Sequence, residues 1–354
     1  MLGQGLGQNL PIKPSLVCCA LNFVKMMELL PDQQHFFKLT GGLNDIHKFK
    51  RVKKYSRMQP TGGYQLQHFL REGGSSLLYE SVNIQTNESA VAKFVPFKNN
   101  KAKIVFENEK SILSELQYSP HVIPLIEHET QANYGVLILA RMKCDLMDLI
   151  EEVGKFDERT VRPIFHQVCK AVKACHDKGI AHLDIKPENI LQSYSGEFYL
   201  ADFGGAKRIS ELFTTDCIFT GTLAYSAPEI RKSFSSLVCP FAADVWSLGI
   251  VLFCLLTGSW PFTDIENLTP ETPIELARAD LSPLTESLLK TILQTNAKSR
   301  PTVDQLLAHP WFLQENENEQ RKKRSSPTFL RKASLKRKFS SVALKFRNLK
   351  GKIS

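Results

Sequence analysis

The sequence lacks the signals that mark a secreted or lipid-anchored protein. Its eight cysteines contain no C-x-x-C pair, and their spacing does not resemble a secreted disulfide framework. No basic segment precedes residues 15–24, as it would in a signal peptide, and glycine is not at position 2, where myristoylation requires it. No apolar run approaches the length of a membrane span. We therefore expect reduced thiols and a cytoplasmic protein, although the basic clusters leave a nuclear location open.

Acidic residues are missing from one end of the chain. Residues 320–354 contain no Asp or Glu but thirteen Lys or Arg. The formal net charge of +9 arises there, because the other residues carry 32 basic and 36 acidic side chains. The chain is thus predicted to be a mildly acidic globule with a basic tail. The tail has few aromatic residues suited to base stacking and no nucleic-acid-reading motif is present, so we expect no specific nucleic-acid binding.

The residues with the clearest chemistry lie at 182–204, which read HLDIKPENILQSYSGEFYLADFG. Asp184 can accept a proton from a hydroxyl, and Lys186 can project to the same side of an extended loop. Two short apolar runs flank turn-forming Ser and Gly and predict a β-hairpin, which would return Asp202 to face Asn189. Carboxylate and amide oxygens suit Mg2+, which takes few protein ligands and completes its shell with water and phosphates. The sequence therefore predicts a Mg2+ site beside a general base.

This arrangement resembles the catalytic and metal-binding loops of a eukaryotic protein kinase. The resemblance extends from about residue 64 to 312 and implies an α+β, bilobal fold. The small N-lobe would be a β-sheet with one helix, and the C-lobe would be larger and mainly helical. It also implies ATP and Mg2+ as cofactors. In that interpretation Asp184 is the catalytic base and Lys186 neutralises the transferred phosphoryl group, while Asn189 and Asp202 hold Mg2+.

The resemblance assigns the ATP site to the first strands and to the helix that follows them. The segment LREGGSSLLY at 70–79 lies where a phosphate-covering glycine loop is expected. Aligned on Leu78, Arg71 stands for the first glycine of that loop, Gly73 for the second and Ser76 for the third, so only the central glycine is present. Lys93, in Ala-Val-Ala-Lys, matches the lysine that grips the ATP phosphates. Glu109 matches the glutamate that pairs with this lysine, and Glu107 is a nearby competitor that lies off the helical register. The predicted ATP contacts in the loop are Leu70, Gly73, Ser76 and Leu78.

An apolar strand at residues 136–139 leads into the predicted hinge, which would contact adenine through Ala140 and Met142. The next acid is Asp145, and the two glycines that usually precede this acid in the family are absent. A gap of one residue in the alignment to the family pattern is compatible with this sequence. The gatekeeper is therefore Ile138 or Leu139, and the sequence leaves both open.

Motifs of the C-lobe set the predicted domain boundaries. Residues 221–229, GTLAYSAPE, resemble the end of a kinase activation segment, and Glu229 is expected to form a buried ion pair with Arg300. The expected organisation is an N-terminal extension at 1–60, a kinase domain at 61–313 and a basic tail at 314–354. Within the domain, the N-lobe would span 61–139 and the C-lobe 143–313.

Six positions bear on the type of kinase, its regulation and its substrates. Lys186, with Thr222 opposite, resembles the serine/threonine type of kinase. Leu183 stands where the family usually has an arginine that binds activation-loop phosphate, so we expect activity that does not depend on phosphate at Thr214, Thr215 or Thr220. Asp145 and Glu188 flank the predicted groove and favour Arg-x-x-Ser/Thr substrates, whereas Cys254 replaces an acid that would select a second arginine.

The basic tail carries its own candidate substrates, because Ser334 and Ser340 each follow an arginine by three residues. Apolar residues recur there at helical spacing, which resembles the calcium/calmodulin-dependent kinase group. Three roles stay open: an autoinhibitory segment, a calmodulin target or an anchor to anionic membranes. A solvated basic tail is the fourth. The alternative for the whole protein is a pseudokinase that binds nucleotide or partners without transferring phosphate.

Overall fold

The computed structural model describes residues 63–212, 221–232, 240–262 and 281–313 of the 354-residue chain. The predicted N-terminal extension, the basic tail and the three activation-segment threonines, at positions 214, 215 and 220, lie outside these residues.

The first part of the described chain is an antiparallel sheet of five strands in the order β1-β2-β3-β5-β4. Its strands are β1 (Tyr64–Glu72), β2 (Leu77–Asn83), β3 (Ser89–Pro96), β4 (Leu125–Thr130) and β5 (Tyr134–Ala140). The β1–β2 hairpin closes through a hydrogen bond from the Gly73 amide to the Ser76 carbonyl, at 2.8 Å. The β1–β2 pairing shifts register twice between Leu66 and Arg71, so the strand twists as it enters the loop.

One helix, α1 (Asn100–Glu115), packs against this sheet. Its first turn is capped by Asn99, whose side-chain oxygen accepts a hydrogen bond from the Ala102 amide at 2.9 Å. The buried face consists of Phe106, Glu109, Ile112 and Leu113. Because residues three and four apart share a helix face, Glu109 is carried inward with its apolar neighbours.

The rest of the described chain is mainly helical. Its helices are α2 (Leu146–Val153), α3 (Glu158–His176), α4 (Ile209–Leu212), α5 (Pro228–Lys232), α6 (Pro240–Thr257), α7 (Pro283–Ile292), α8 (Val303–Leu307) and α9 (Pro310–Leu313). Short strands join them: β6 (Cys144–Asp145), β8 (Ile190–Gln192) and β9 (Phe198–Leu200) form one sheet, and β7 (Ile180–Ala181) pairs with β10 (Lys207–Arg208). This α+β arrangement of a sheet-rich part and a helical part confirms the predicted bilobal fold.

The expectation that no apolar run reaches the length of a membrane span was wrong. Helix α6 has 18 residues with a mean hydropathy of 1.8, enough by length and composition to cross a membrane. It is instead the core of the helical part, with 83% of its residues buried in the protein. A helix that is apolar on every side is what a fully enclosed core helix requires.

The predicted ion pair of the helical part is present. The Arg300 guanidinium donates to both carboxylate oxygens of Glu229, at 2.6 and 2.7 Å, and to the carbonyls of Gln294, Ala242 and Thr295. It also lies over the Trp246 ring, 4.9 Å from the centroid. The buried cation therefore has a paired charge and a full set of acceptors, the condition under which burying it is tolerated.

Candidate active site

Two acids clamp one lysine where the sheet meets the helical part. The Lys93 ammonium donates to Glu109 Oε1 at 2.6 Å and to Asp202 Oδ1 at 2.7 Å. Lys93 lies in β3 and Glu109 on the inward face of α1, where only 2% of the residue is exposed. The structure thus selects Glu109 over Glu107, which instead forms an ion pair with Lys110 on the same helix.

The charges of this cluster stabilise one another. Burial acts to lower the pKa of Lys93, but Asp202 and Glu109 outweigh it and raise the pKa well above its usual value. The positive charge of Lys93 holds the pKa of Asp202 well below its usual range. Burial raises the pKa of Glu109, and Lys93 acts against that shift. Lys93 therefore remains a cation and Asp202 an anion at neutral pH.

The β8–β9 hairpin positions Asp202, as the sequence predicted. Ile190 pairs with Leu200, and the Ala201 amide donates to the Asn189 carbonyl at 2.8 Å. Asp202 itself adopts a left-handed conformation with φ of 63°, which turns its carboxylate towards Lys93. The next residue, Phe203, is fully buried, and its ring meets the His182 ring edge-on at 4.8 Å. A left-handed non-glycine residue held by buried neighbours is typical of a functional site.

Asp184 is the centre of a second cluster. One of its carboxylate oxygens, Oδ2, accepts from Lys186 Nζ at 2.7 Å, and the other, Oδ1, accepts from the Thr222 amide at 2.7 Å. Lys186 also donates to the Thr222 hydroxyl, at 2.6 Å. Asp184 and Lys186 therefore lie on one side of the loop, and the end of the activation segment closes this cluster. The base, the cation and the threonine predicted from the sequence are brought together.

Asn189 joins the two clusters. Its amide nitrogen donates to the Asp184 carbonyl at 2.8 Å and to Asp184 Oδ2 at 3.0 Å. This use of the nitrogen leaves the amide oxygen for another partner, and the Asp202 side chain is 50% exposed. Two hard oxygens from adjacent loops fit Mg2+, which needs few protein ligands. The described residues contain no group of three or more His, Cys, Asp or Glu side chains that could hold a metal ion.

A residue whose role the sequence did not predict holds the catalytic loop. Asp244, which is fully buried in α6, accepts from the His182 amide at 2.8 Å and from the Leu183 amide at 2.7 Å. Its Oδ2 also lies 2.9 Å from His176 Nε2. Leu183 adopts a left-handed conformation with φ of 63°, which costs an ordinary residue about 1–2 kcal/mol. The Asp244 carboxylate therefore fixes the strained residue that precedes Asp184.

The predicted phosphate loop is the β1–β2 turn. Gly73 and the largely buried Ser76 form it, while Leu70 lies in β1 with 43% exposure and Leu78 in β2. A side chain at Gly73 would approach the Ser76 hydroxyl to 3.0 Å, so the Ser76 side chain would have to shift slightly to admit one. The position expected to hold the first glycine is Arg71, whose guanidinium reaches Asp145 Oδ2 at 3.3 Å.

The sheet register separates the two gatekeeper candidates. Across β3 and β5, Lys93 pairs with Leu137 and Val91 pairs with Leu139. Paired residues point to one face of a sheet and successive residues alternate, so Leu139 lies on the face of Lys93. Ile138 is on the opposite face and fully buried. The geometry therefore favours Leu139, and the hinge, with Ala140 and Met142, is one residue shorter than the family pattern.

The two acids predicted to bind substrate have partners within the protein. Asp145 caps α2, because its Oδ1 accepts a hydrogen bond from the Asp148 amide at 2.9 Å. In return, the Asp148 side chain accepts a hydrogen bond from the Asp145 amide. Glu188 is half-buried and accepts a hydrogen bond from the Tyr225 hydroxyl, whose pKa is raised by burial and by Glu188. Cys254 stands where the family pattern has a further acid and is fully buried close to Glu188. This position therefore adds no carboxylate to the predicted groove.

Comparison with known proteins identifies the family. A family model described as "Protein kinase domain" matches residues 64–312. CBL-interacting protein kinase 29 of Oryza sativa subsp. japonica is 30% identical over 273 residues, which cover 72% of this chain and 60% of the relative. CBL-interacting serine/threonine-protein kinase 20 of Arabidopsis thaliana is 32% identical over 268 residues, or 70% of this chain and 58% of the relative.

A third relative, probable serine/threonine-protein kinase fhkC of Dictyostelium discoideum, is 30% identical over 291 residues, or 76% of this chain and 47% of the relative. This chain thus spans about half to three fifths of the length of these curated relatives. The family model alone matches well over half of the chain, in the region that contains both clusters. The sequence-based assignment is confirmed, and the chain belongs to the protein kinase domain family.

Proposed function

We propose that this protein is a serine/threonine protein kinase that transfers the γ-phosphoryl group of Mg-ATP to serine or threonine hydroxyls. The observation that carries the proposal is the Asp184 cluster, in which a carboxylate, a cation and a threonine lie within 2.6–2.7 Å of one another. The names of the relatives support it, because two of the three are called serine/threonine-protein kinases.

Each residue of the site has one task in this mechanism. Lys93, held by Glu109, binds the phosphates of the nucleotide, and Asn189 and Asp202 hold the metal ion. Mg2+, when bound, would supply positive charge that offsets the negative charge developing during transfer. Asp184 orients the substrate hydroxyl and takes its proton, and Lys186 faces the transferred group. Thr222 fixes the orientation of Asp184 through its amide.

We also propose that activity does not require phosphate on the activation segment. Leucine at position 183 cannot form a charge-assisted hydrogen bond with a phosphate. The loop already has another support, since the Leu183 amide is held by Asp244. Alanine at Thr214, Thr215 and Thr220 together should leave the rate of transfer within a few-fold of wild type, and a near-complete loss would contradict this proposal.

The preferred substrates in this proposal carry arginine three residues before the hydroxyl, read by Asp145 and Glu188. Selection for a second arginine should be weak, since Cys254 is neutral. Calmodulin or anionic membranes remain predicted partners of the tail. Its truncation at Gln320 separates the roles: a faster enzyme indicates inhibition by the tail, and an altered location alone indicates anchoring. Location in the cytoplasm likewise stays a prediction.

The deciding experiment measures transfer of radiolabelled phosphate from Mg-ATP to an Arg-x-x-Ser peptide. Asp184→Asn should slow transfer by about 10²–10⁴-fold, the usual contribution of a positioned base. Nucleotide binding, followed by the shift in melting temperature, should persist in this variant, which is nearly isosteric. Wild-type protein that binds nucleotide but transfers no phosphate would refute the proposal in favour of a pseudokinase.

A further inference from the structure

Arg71 makes an ion pair between the predicted phosphate loop and the first residue before α2. It stands in β1 at the position where the family pattern has its first glycine, and it is joined to Asp145 by one contact of 3.3 Å. The two residues are 74 positions apart in the sequence. Asp145 begins α2, so the pair connects the sheet to the helical part beside the groove that a substrate would occupy.

Both oxygens of the Asp145 carboxylate are engaged. Oδ1 accepts from the Asp148 amide as the cap of α2, and Oδ2 accepts from Arg71. The Asp145 side chain is only 9% exposed, whereas the Arg71 side chain is 55% exposed. A substrate arginine approaching Asp145 would therefore meet a carboxylate whose outward oxygen is already bound by an arginine of the same charge and shape.

We propose that Arg71 is a specificity-determining residue that competes with the substrate arginine for Asp145. The proposal rests on the proposed function, because it presumes that peptides dock in this groove. Arg71 would lower the preference for Arg-x-x-Ser/Thr and widen the range of accepted substrates. Its glycine counterpart in the family pattern has no side chain and could not do this.

The contact is weak enough for a substrate arginine to displace Arg71 from Asp145. Arg71 and Asp145 share one N–H···O contact rather than two, and its distance is at the long end for a hydrogen bond. The Arg71 side chain is also largely in solvent. Exposed ion pairs of this kind shift equilibria by at most about five-fold. Arg71 should thus reduce arginine preference without abolishing it, and its removal should raise that preference by about two- to five-fold.

The experiment compares two peptides that differ only by Arg or Ala three residues before the serine. Their dissociation constants are measured by fluorescence anisotropy on the full chain with saturating Mg-ADP, and their kcat/KM values with saturating Mg-ATP. The variants are Arg71→Ala, Asp145→Asn and Lys290→Ala. Lys290 is a matched control, because its side chain is 57% exposed and pairs with Glu286 on α7. Asparagine keeps the helix cap at position 145 and removes only the charge.

We expect Arg71→Ala to tighten binding of the Arg peptide by about two- to five-fold, leave the Ala peptide unchanged and act on KM more than on kcat. Asp145→Asn should reduce the preference for the Arg peptide to the part that Glu188 provides, and adding Arg71→Ala to it should have no further effect. An Arg-peptide preference that is unchanged or reduced in Arg71→Ala would overturn the inference, as would an effect of Arg71→Ala that persists in the Asp145→Asn background. Absence of transfer by the wild type would refute the proposed function, while the anisotropy ratios would still decide the role of Arg71.

Discussion

Replacing Asp244 by asparagine tests how the catalytic loop is held. The carboxylate is fully buried and accepts two loop amides, from His182 at 2.8 Å and from Leu183 at 2.7 Å. Asparagine has nearly the same shape, but one of its two polar atoms is an NH2 group. Whichever way the amide is oriented, one backbone N–H therefore loses its acceptor and faces another donor.

The expected loss of stability follows from those contacts. A hydrogen bond to a charged group contributes about 1.5–3 kcal/mol, and a buried donor left without a partner adds a desolvation cost. We expect Asp244→Asn to lower the free energy of unfolding by about 2–4 kcal/mol. The left-handed conformation of Leu183 would no longer be enforced, so Asp184 should move. A displacement of about 1 Å at a reacting group lowers the rate by about 10²-fold.

Urea unfolding gives the change in the free energy of unfolding from the shift in the midpoint, provided that the slope against urea concentration is unchanged. A peptide transfer assay gives kcat. Asp157→Asn is the matched control, because Asp157 caps α3 in solvent by accepting from the Thr160 amide at 2.7 Å. Asparagine caps helices as well as aspartate does, so this control should change stability by only a few tenths of a kcal/mol. A loss below about 1 kcal/mol in Asp244→Asn, with kcat within a few-fold of wild type, would show that the carboxylate does not hold the loop.

Three further changes test the rest of the site. Glu109→Gln should lower kcat/KM for ATP by about 10–10²-fold by releasing the lysine it orients, whereas Glu107→Gln on the outer face of the same helix should leave steady-state kinetics unchanged. Glu229→Ala leaves a buried guanidinium without its carboxylate and should lower the free energy of unfolding by about 3–5 kcal/mol in urea titrations. Lys93→Met removes the charge that holds the pKa of Asp202 low. Because the folded-state pKa lies below the unfolded value of about 3.9, the stabilisation is complete above about pH 5 and is lost as the pH falls. The difference in urea midpoint between wild type and Lys93→Met should therefore shrink from pH 6 to about pH 3, and a constant difference would contradict it.

Local sequence patterns were sufficient wherever neighbouring residues determine the geometry. The hairpin before Asp202 was predictable from two apolar runs around a turn, and its pairing is observed between Ile190 and Leu200. The inward position of Glu109 was predictable because it shares a helix face with Ile112 and Leu113. In both cases the relevant contacts lie within about ten residues, where periodicity and turn chemistry carry the information.

The gatekeeper could not be predicted because the strand that contains it is apolar throughout. Residues 136–139 lack the alternation that would separate one face of the strand from the other. The choice between Ile138 and Leu139 depends on pairing with β3, whose register is a tertiary property. A shift by one residue would exchange the two side chains, which is why the register was needed.

The Arg71–Asp145 pair and the role of Asp244 were missed for a related reason. Asp244 lies 62 residues from His182 in sequence, and Arg71 lies 74 from Asp145, so no local pattern connects them. A signal did exist for Asp244, since it is the lone charged residue in the mainly apolar helix α6. A buried carboxylate must be hydrogen-bonded, and a search for donors on the neighbouring loops would have led to the residues before Asp184.

Position 183 holds leucine in place of the family's arginine, which binds phosphate on the activation segment. Helix α1 must therefore be held against the active site by other contacts. The described residues provide contacts of their own between α1 and the segment after Asp202. Asn108 donates to the Ala206 carbonyl at 2.9 Å, and Arg208 donates to Glu115 and to Ser111, both at 3.0 Å. These contacts flank Glu109 on both sides along the helix, so they hold the Lys93 partner inward. We therefore expect α1 to keep its position without phosphate on the activation segment, as the proposed phosphate-independent activity requires.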